Sequence, residues 1–146
     1  MATEKLVSLK VVRHFEASAE RVHNAWLDPT TAGQWLFAHA ARPMIVVEID
    51  PRVGGRFNIT RRDGDDAESD VEHVGEYLEV DRPRRLAFTF SVPKFARQIT
   101  RVTVEIVPLE SGCELTLIHD NVLADWASST ESGWGMILDS LARTLA

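Results

Sequence analysis

Alternation opens the chain. Between Lys5 and Phe15, Val7, Leu9, Val11 and Phe15 fall on one side and Ser8, Lys10 and His14 on the other, the period of two that predicts a half-buried strand. The period then lengthens: Val22, Ala25 and Trp26 recur at steps of three and four behind Ser18 or Ala17, which can cap a short helix. Glu20 in its first turn suits the macrodipole. Asp28-Pro29 ends that helix and permits a second short one, since Pro is well placed at a first helical position. Gln34-Trp35-Leu36-Phe37 closes the segment.

From Met44 onward the pattern predicts strand after strand. Met44–Asp50 is rich in Ile and Val, Pro51-Arg52-Val53-Gly54-Gly55 turns the chain with a positive φ at glycine, and Arg56–Arg62 returns with Phe57 and Ile59 facing alike. Asp63-Gly64 begins a polar hairpin loop that runs to about Asp70, and Val71–Val80 follows. After Asp81-Arg82-Pro83, Leu86, Phe88, Phe90 and Val92 alternate with Arg85, Ala87, Thr89 and Ser91, the clearest strand in the chain. Thr100–Val107 alternates through Val102, Val104 and Ile106, and Cys113–His119 follows the Ser111-Gly112 turn with Leu115, Leu117 and His119 in phase.

The last segment changes period again. Trp126, Thr130, Trp134, Leu138, Leu141 and Leu145 recur at three and four, an amphipathic helix. Ser128-x-x-Glu131 reads as a capping box, which starts the regular helix near Ser129 and leaves Val122–Trp126 as an ordered loop or extra turn. Gly133 lies on the apolar side at a cost of about 1 kcal/mol against Ala. Close approach of the backbone to a sheet or to a ligand explains a glycine there better than propensity does.

Strand, two short helices, six strands and one long helix make an α+β chain whose short turns imply an antiparallel meander. A six- to seven-stranded antiparallel sheet curls, and only the C-terminal helix is long enough to cover its concave face. At 146 residues, one domain over 1–146 accounts for the length.

Composition removes several function classes. A net charge of −6 argues against general nucleic-acid binding and against anionic membranes. No apolar run approaches a bilayer span, and Met1-Ala2-Thr3-Glu4-Lys5 has no signal-peptide character, so a cytoplasmic location is expected. One cysteine, Cys113, excludes an internal disulfide and a multi-Cys zinc site, and reads as a buried small hydrophobe. Counting a calcium loop from Asp63 puts Ala67, Glu68 and Val74 where an oxygen ligand, Gly and Glu are needed, so a solvated hairpin loop is the better account. Gly54-Gly55 joins two strands and opens no helix, so it is no phosphate loop. The histidines (His14, His23, His39, His73 and His119) are scattered, and neither a metal nor a cofactor is indicated.

Several short motifs now stand in one order: Val22-x-x-Ala25-Trp26-x-Asp28-Pro29, Gln34-Trp35, Asp50-Pro51-Arg52-Val53-Gly54-Gly55-Arg56-Phe57, Gly75-Glu76-Tyr77-Leu78-Glu79-Val80 with Pro83-Arg84-Arg85-Leu86, Leu115-Thr116-Leu117-Ile118-His119, and Gly133-Trp134-x-x-x-Leu138-x-x-Leu141. In this order the sequence resembles the START-like (SRPBCC) superfamily. Within it, the chain is similar to bacterial proteins like the C-terminal domain of the ATPase activator of the 90-kDa heat-shock protein. It departs from them where they usually carry a second aromatic and Gly-Pro after the short-helix tryptophan; here Leu36-Phe37 stands. The resemblance implies a helix-grip fold with a cavity between sheet and terminal helix. It does not imply one activity.

If that cavity exists, Trp35, Phe37, Phe57, Tyr77, Phe88, Phe90, Trp134 and Leu138 are its expected lining, with the Tyr77 hydroxyl and Trp134 indole as polar handles. Plain core packing explains the same aromatics. His119, in phase with Leu115 and Leu117, can bind a ligand carbonyl or serve as acid or base, though a hydrogen-bonded core histidine is the commoner case. His73 and Arg13 have the same standing. Three functions follow: non-enzymatic binding of a small apolar or lipid-like molecule; an aromatase/cyclase-type enzyme using His119, His73 or Arg13; and a chaperone-interacting module marked by an exposed apolar patch. Exposed sheet edges make a homodimer a further expectation.

Overall fold

The computed structural model describes residues 5–38, 42–95 and 98–146; His39 and the first four residues lie outside them. Seven strands, β1 (Leu6–Phe15), β2 (Met44–Ile49), β3 (Arg56–Arg62), β4 (Asp70–Asp81), β5 (Arg85–Phe90), β6 (Thr100–Pro108) and β7 (Cys113–Leu123), form one antiparallel sheet. Its order is β1-β7-β6-β5-β4-β3-β2, a meander from β2 to β7 with β1 added at the β7 edge. Helices α1 (Ala19–Leu27) and α2 (Pro29–Trp35) follow β1, and α3 (Ala127–Leu145) ends the chain in the grip of the curved sheet. This is the helix-grip fold.

Local chemistry accounts for the first part of the chain. Ser18 caps α1, its Oγ accepting from the Arg21 N–H at 3.2 Å. Asp28 ends α1 and caps α2 through the Thr30 N–H at 3.1 Å, with Pro29 in the first turn. Gly54 takes φ 85° in the β2–β3 turn, where an L side chain is strained.

The start of α3 differs from the predicted one. Pairing of Leu6 with Leu123 and of Val7 with Val122 keeps β7 extended four residues past His119, so Val122 and Leu123 are strand. One tight turn, Ala124–Trp126, leads straight into a helix beginning at Ala127. Ser128 therefore lies inside α3 and the capping box does not form. Trp126 holds the N-cap position without a side-chain cap, and the Ser129 hydroxyl donates to its carbonyl at 3.1 Å.

Under α3, Val102, Val104, Leu115 and Leu117 from β6 and β7 meet Leu138 and Leu141, all fully buried. Cys113 is buried among them and its thiol is pushed up by that burial. Among the described residues no helix is long and apolar enough to cross a membrane.

Candidate functional site

Aromatic rings fill the centre of the space beneath α3. Trp26 and Trp35 meet edge to face at 4.7 Å, and the Trp35 indole donates to the Ala25 carbonyl at 3.1 Å. Trp134 descends from α3 to lie 6.2 Å from Trp26, 5.7 Å from Phe37 and 6.2 Å from Phe90. Phe88 packs on Trp26, Phe57 and Tyr77. Burial raises the Tyr77 hydroxyl above its ordinary range.

His119 belongs to this packed region, and both of its ring nitrogens are hydrogen-bonded. The Trp134 indole N–H donates to its Nδ1 at 3.0 Å. An indole nitrogen can only donate, so Nδ1 is unprotonated and the ring proton sits on Nε2. Nε2–H then donates to Thr100 Oγ1 at 2.7 Å, and the Thr100 hydroxyl donates to the Phe90 carbonyl at 2.9 Å. Burial holds the imidazole down to about 4, so it is neutral near pH 7.

His73 reaches the concave side from β4. Its Nδ1 donates to the Ile59 carbonyl at 3.0 Å, and burial holds it down to about 4. Its ring stacks on Phe37 at 4.3 Å, and Phe37 stacks in turn on Phe90 at 5.1 Å. Phe37 carries φ 57°, a left-handed backbone that costs a bulky L residue about 1–2 kcal/mol. Arg61 steadies it, donating from Nη1 to its carbonyl at 3.1 Å.

Arg13 lies at the edge of the concave face. It pairs with Asp139 of α3 at 3.3 Å, and both side chains are exposed. His23, which the sequence left unassigned, is buried on α1 and donates from Nε2 to the Arg85 carbonyl at 2.9 Å.

Open space begins beside this core. A groove of about 690 Å³ runs between α2, the Gly133–Arg143 face of α3, and the β2–β4 side of the sheet, a size that suits a small organic ligand. Phe37 and His73 line it with Gly133, Met44, Met136 and Ile137, while Arg42, Arg61 and Arg143 supply its cations. Gly133 presents bare helix backbone: a Cβ there would meet nothing within 4 Å. Close approach to the sheet is therefore not its reason. A second pocket of about 180 Å³, lined by Phe90, His119, Phe95, Trp126 and Thr130, opens where α3 begins. The stacked pair Phe37 and Phe90 stands between the two spaces.

Of the nine residues expected at a site, Phe37 lines the groove and Phe90 and His119 the second pocket. Phe57 shows its edge in a depression beside Gly75. Trp35, Tyr77, Phe88, Trp134 and Leu138 line none of these spaces and pack the core between them. The arginines, Met44 and Met136 escaped the sequence reading. The signal for the helix side was present: Gly133, Met136, Ile137, Ser140 and Arg143 form a second stripe at helical spacing beside the buried one.

The family described as activator of Hsp90 ATPase homolog 1-like protein matches residues 16–146. The chain belongs to that family. Solved structures share the fold along nearly the full length. A protein of Chromobacterium violaceum is 25% identical, the match covering 93% of this chain and 94% of that one at a TM-score of 0.82. An AHSA1-like protein of Aeromonas hydrophila is 24% identical over 95% of this chain and 92% of its own, at 0.81. A Staphylococcus aureus protein of unknown function reaches 0.83 at 16% identity, over 97% and 94%. Among curated proteins none matches. The family match agrees with the resemblance read from the sequence and is consistent with the START-like superfamily, and the fold is compatible with ligand-binding and co-chaperone-like readings alike.

Proposed function

We propose that the chain binds a small, largely apolar molecule in the groove between α2, α3 and the β2–β4 side of the sheet, without catalysis. The observation that carries this reading is Gly133. A glycine inside a helix costs about 1 kcal/mol, and here it relieves no contact with the protein but widens a groove of about 690 Å³. The chemistry at hand favours binding over reaction. His119 has both ring nitrogens engaged, and His73, held near 4, is a weak base at neutral pH. Arg13 is exposed and paired. A thermal-shift and native mass-spectrometry screen of lipids, aromatics and polyketide-like compounds tests the proposal. Ligands should raise the melting temperature of the parent and not of Gly133→Leu, which fills the groove; stabilisation of both alike would refute it.

Contact with a chaperone has one observation in its favour. Phe95 and Trp126 are 61% and 46% exposed on the rim of the second pocket, apolar side chains that a protein partner could cover. Binding of the purified 90-kDa chaperone that is lost in Phe95→Ser with Trp126→Ser would support this reading, and undiminished binding by that double variant would reject it.

A further inference from the structure

The groove's charge runs against that of the chain. The protein carries −6 overall, yet Arg42, Arg61 and Arg143 line this one space and Asp139 is its lone carboxylate among the described residues. Asp139 is answered by Arg13, and Arg61 by Asp63, whose carboxyl the Arg61 hydrogen bond holds below its ordinary range. Neither Arg42 nor Arg143 makes a direct salt bridge with a carboxylate among the described residues, although Arg42 stands near enough to Asp63 to help Arg61 lower its carboxyl. A cation in the last turn of a helix suits the macrodipole, which accounts for Arg143 alone; Arg42 precedes a strand and has no such reason. The remaining walls are largely apolar and adaptable, with Phe37, Met44, Met136 and Ile137. From Gly133 to Arg143 the helix face is about 15 Å long, room for an extended chain with one charged end.

We infer that the ligand of this groove is a free amphipathic carboxylate, its anion held by Arg42 and Arg143 and its apolar part lying over Met44, Met136, Ile137 and the bare backbone at Gly133. This deepens the binding function proposed above and rests on it. Arg42 and Arg143 are both exposed, yet guanidinium–carboxylate bonds are the strong, charge-assisted kind and discriminate between head groups, which the apolar walls do not.

Isothermal titration of the full chain with decanoate, decanol and decyltrimethylammonium, each below its micelle concentration, tests the inference. Decanoate should bind about tenfold or more tighter than decanol, equivalent to about 1.4 kcal/mol, and the cation more weakly than either. Arg143→Gln and Arg42→Gln should each cut the preference for decanoate to about threefold or less while the melting temperature without ligand stays put. The preference should also shrink as salt rises. Equal binding of decanoate and decanol, displaced alike by Gly133→Leu, overturns the carboxylate assignment and leaves the groove reading intact. Binding of neither overturns both. Co-sedimentation with phosphatidylglycerol vesicles in place of monomer binding also overturns the inference, because the anion would then be a membrane's.

Discussion

The indole N–H of Trp134 donates to Nδ1 of His119 at 3.0 Å, and this bond decides what the histidine can do. It fixes the tautomer, aims Nε2–H at Thr100 and leaves no lone pair for a substrate. It also ties α3 to β7 in the core. Replacing His119 with Leu strands the buried indole N–H, so unfolding free energy should fall by about 1–3 kcal/mol. Urea denaturation measures this; a change below about 0.5 kcal/mol would mean the bond contributes nothing.

Acid should weaken the fold in a definite window. His119 and His73 are both held near 4 by burial, and His23 is lowered for the same leading reason. An unfolded histidine takes up its proton near 6.5 while these do not, so protonation favours the unfolded chain. Their stability contribution is complete above pH 6.5 and is lost as pH falls toward 4. Asp63 and Asp70, lowered mainly by hydrogen bonds from Arg61 and Arg62, add losses only below the ordinary carboxylate range. Stability measured from pH 8 to 4.5 should therefore stay flat, then decline below 6.5, and His119→Leu should flatten part of that decline. A parent profile level down to pH 4.5 would contradict the buried neutral histidines.

Two glycines should answer one substitution with opposite signs. A Cβ on Gly75 would sit 1.8 Å from the Thr89 carbonyl oxygen and 2.6 Å from the Phe57 ring, because that ring covers the glycine across the β3–β4 pair. Gly75→Ala should cost about 2–3 kcal/mol or more through overpacking. Gly133→Ala meets open space and should stabilise by about 0.5–1 kcal/mol, the helix-propensity gain. Thermal unfolding of the two variants against the parent settles both signs.

Sheet and helices were legible because each buried face keeps a single period: Leu115, Leu117 and His119 at two, Trp134, Leu138 and Leu141 at three and four. The α3 start was not, since Ser128-x-x-Glu131 fits a cap locally while the β1–β7 ladder, a pairing distant in sequence, sets where the chain can turn. The same aromatic periods mark core and pocket alike, so Trp35, Phe88 and Trp134 could not be told from Phe37 and Phe90 without coordinates. Arg42, just before β2, and Arg61, on β3, are brought together by the pairing of those two strands, and no periodicity links either to Arg143.

Phe37 offers the sharpest test of local backbone against packing. Its ring is 5% exposed, so truncation to Ala should cost about 3–5 kcal/mol. In ordinary backbone a further change from Ala to Gly costs another 0.5–1 kcal/mol or so. At φ 57° the order should reverse, because only Gly takes that conformation without a Cβ penalty of about 1–2 kcal/mol. Phe37→Gly is expected to be at least as stable as Phe37→Ala by urea denaturation, and both should open the ring barrier between the groove and the His119 pocket. If Phe37→Gly instead proves the weaker by the usual margin, the segment relaxes out of the left-handed region once the ring is gone. The ring's stacking on His73 and Phe90 would then be what forces the backbone there.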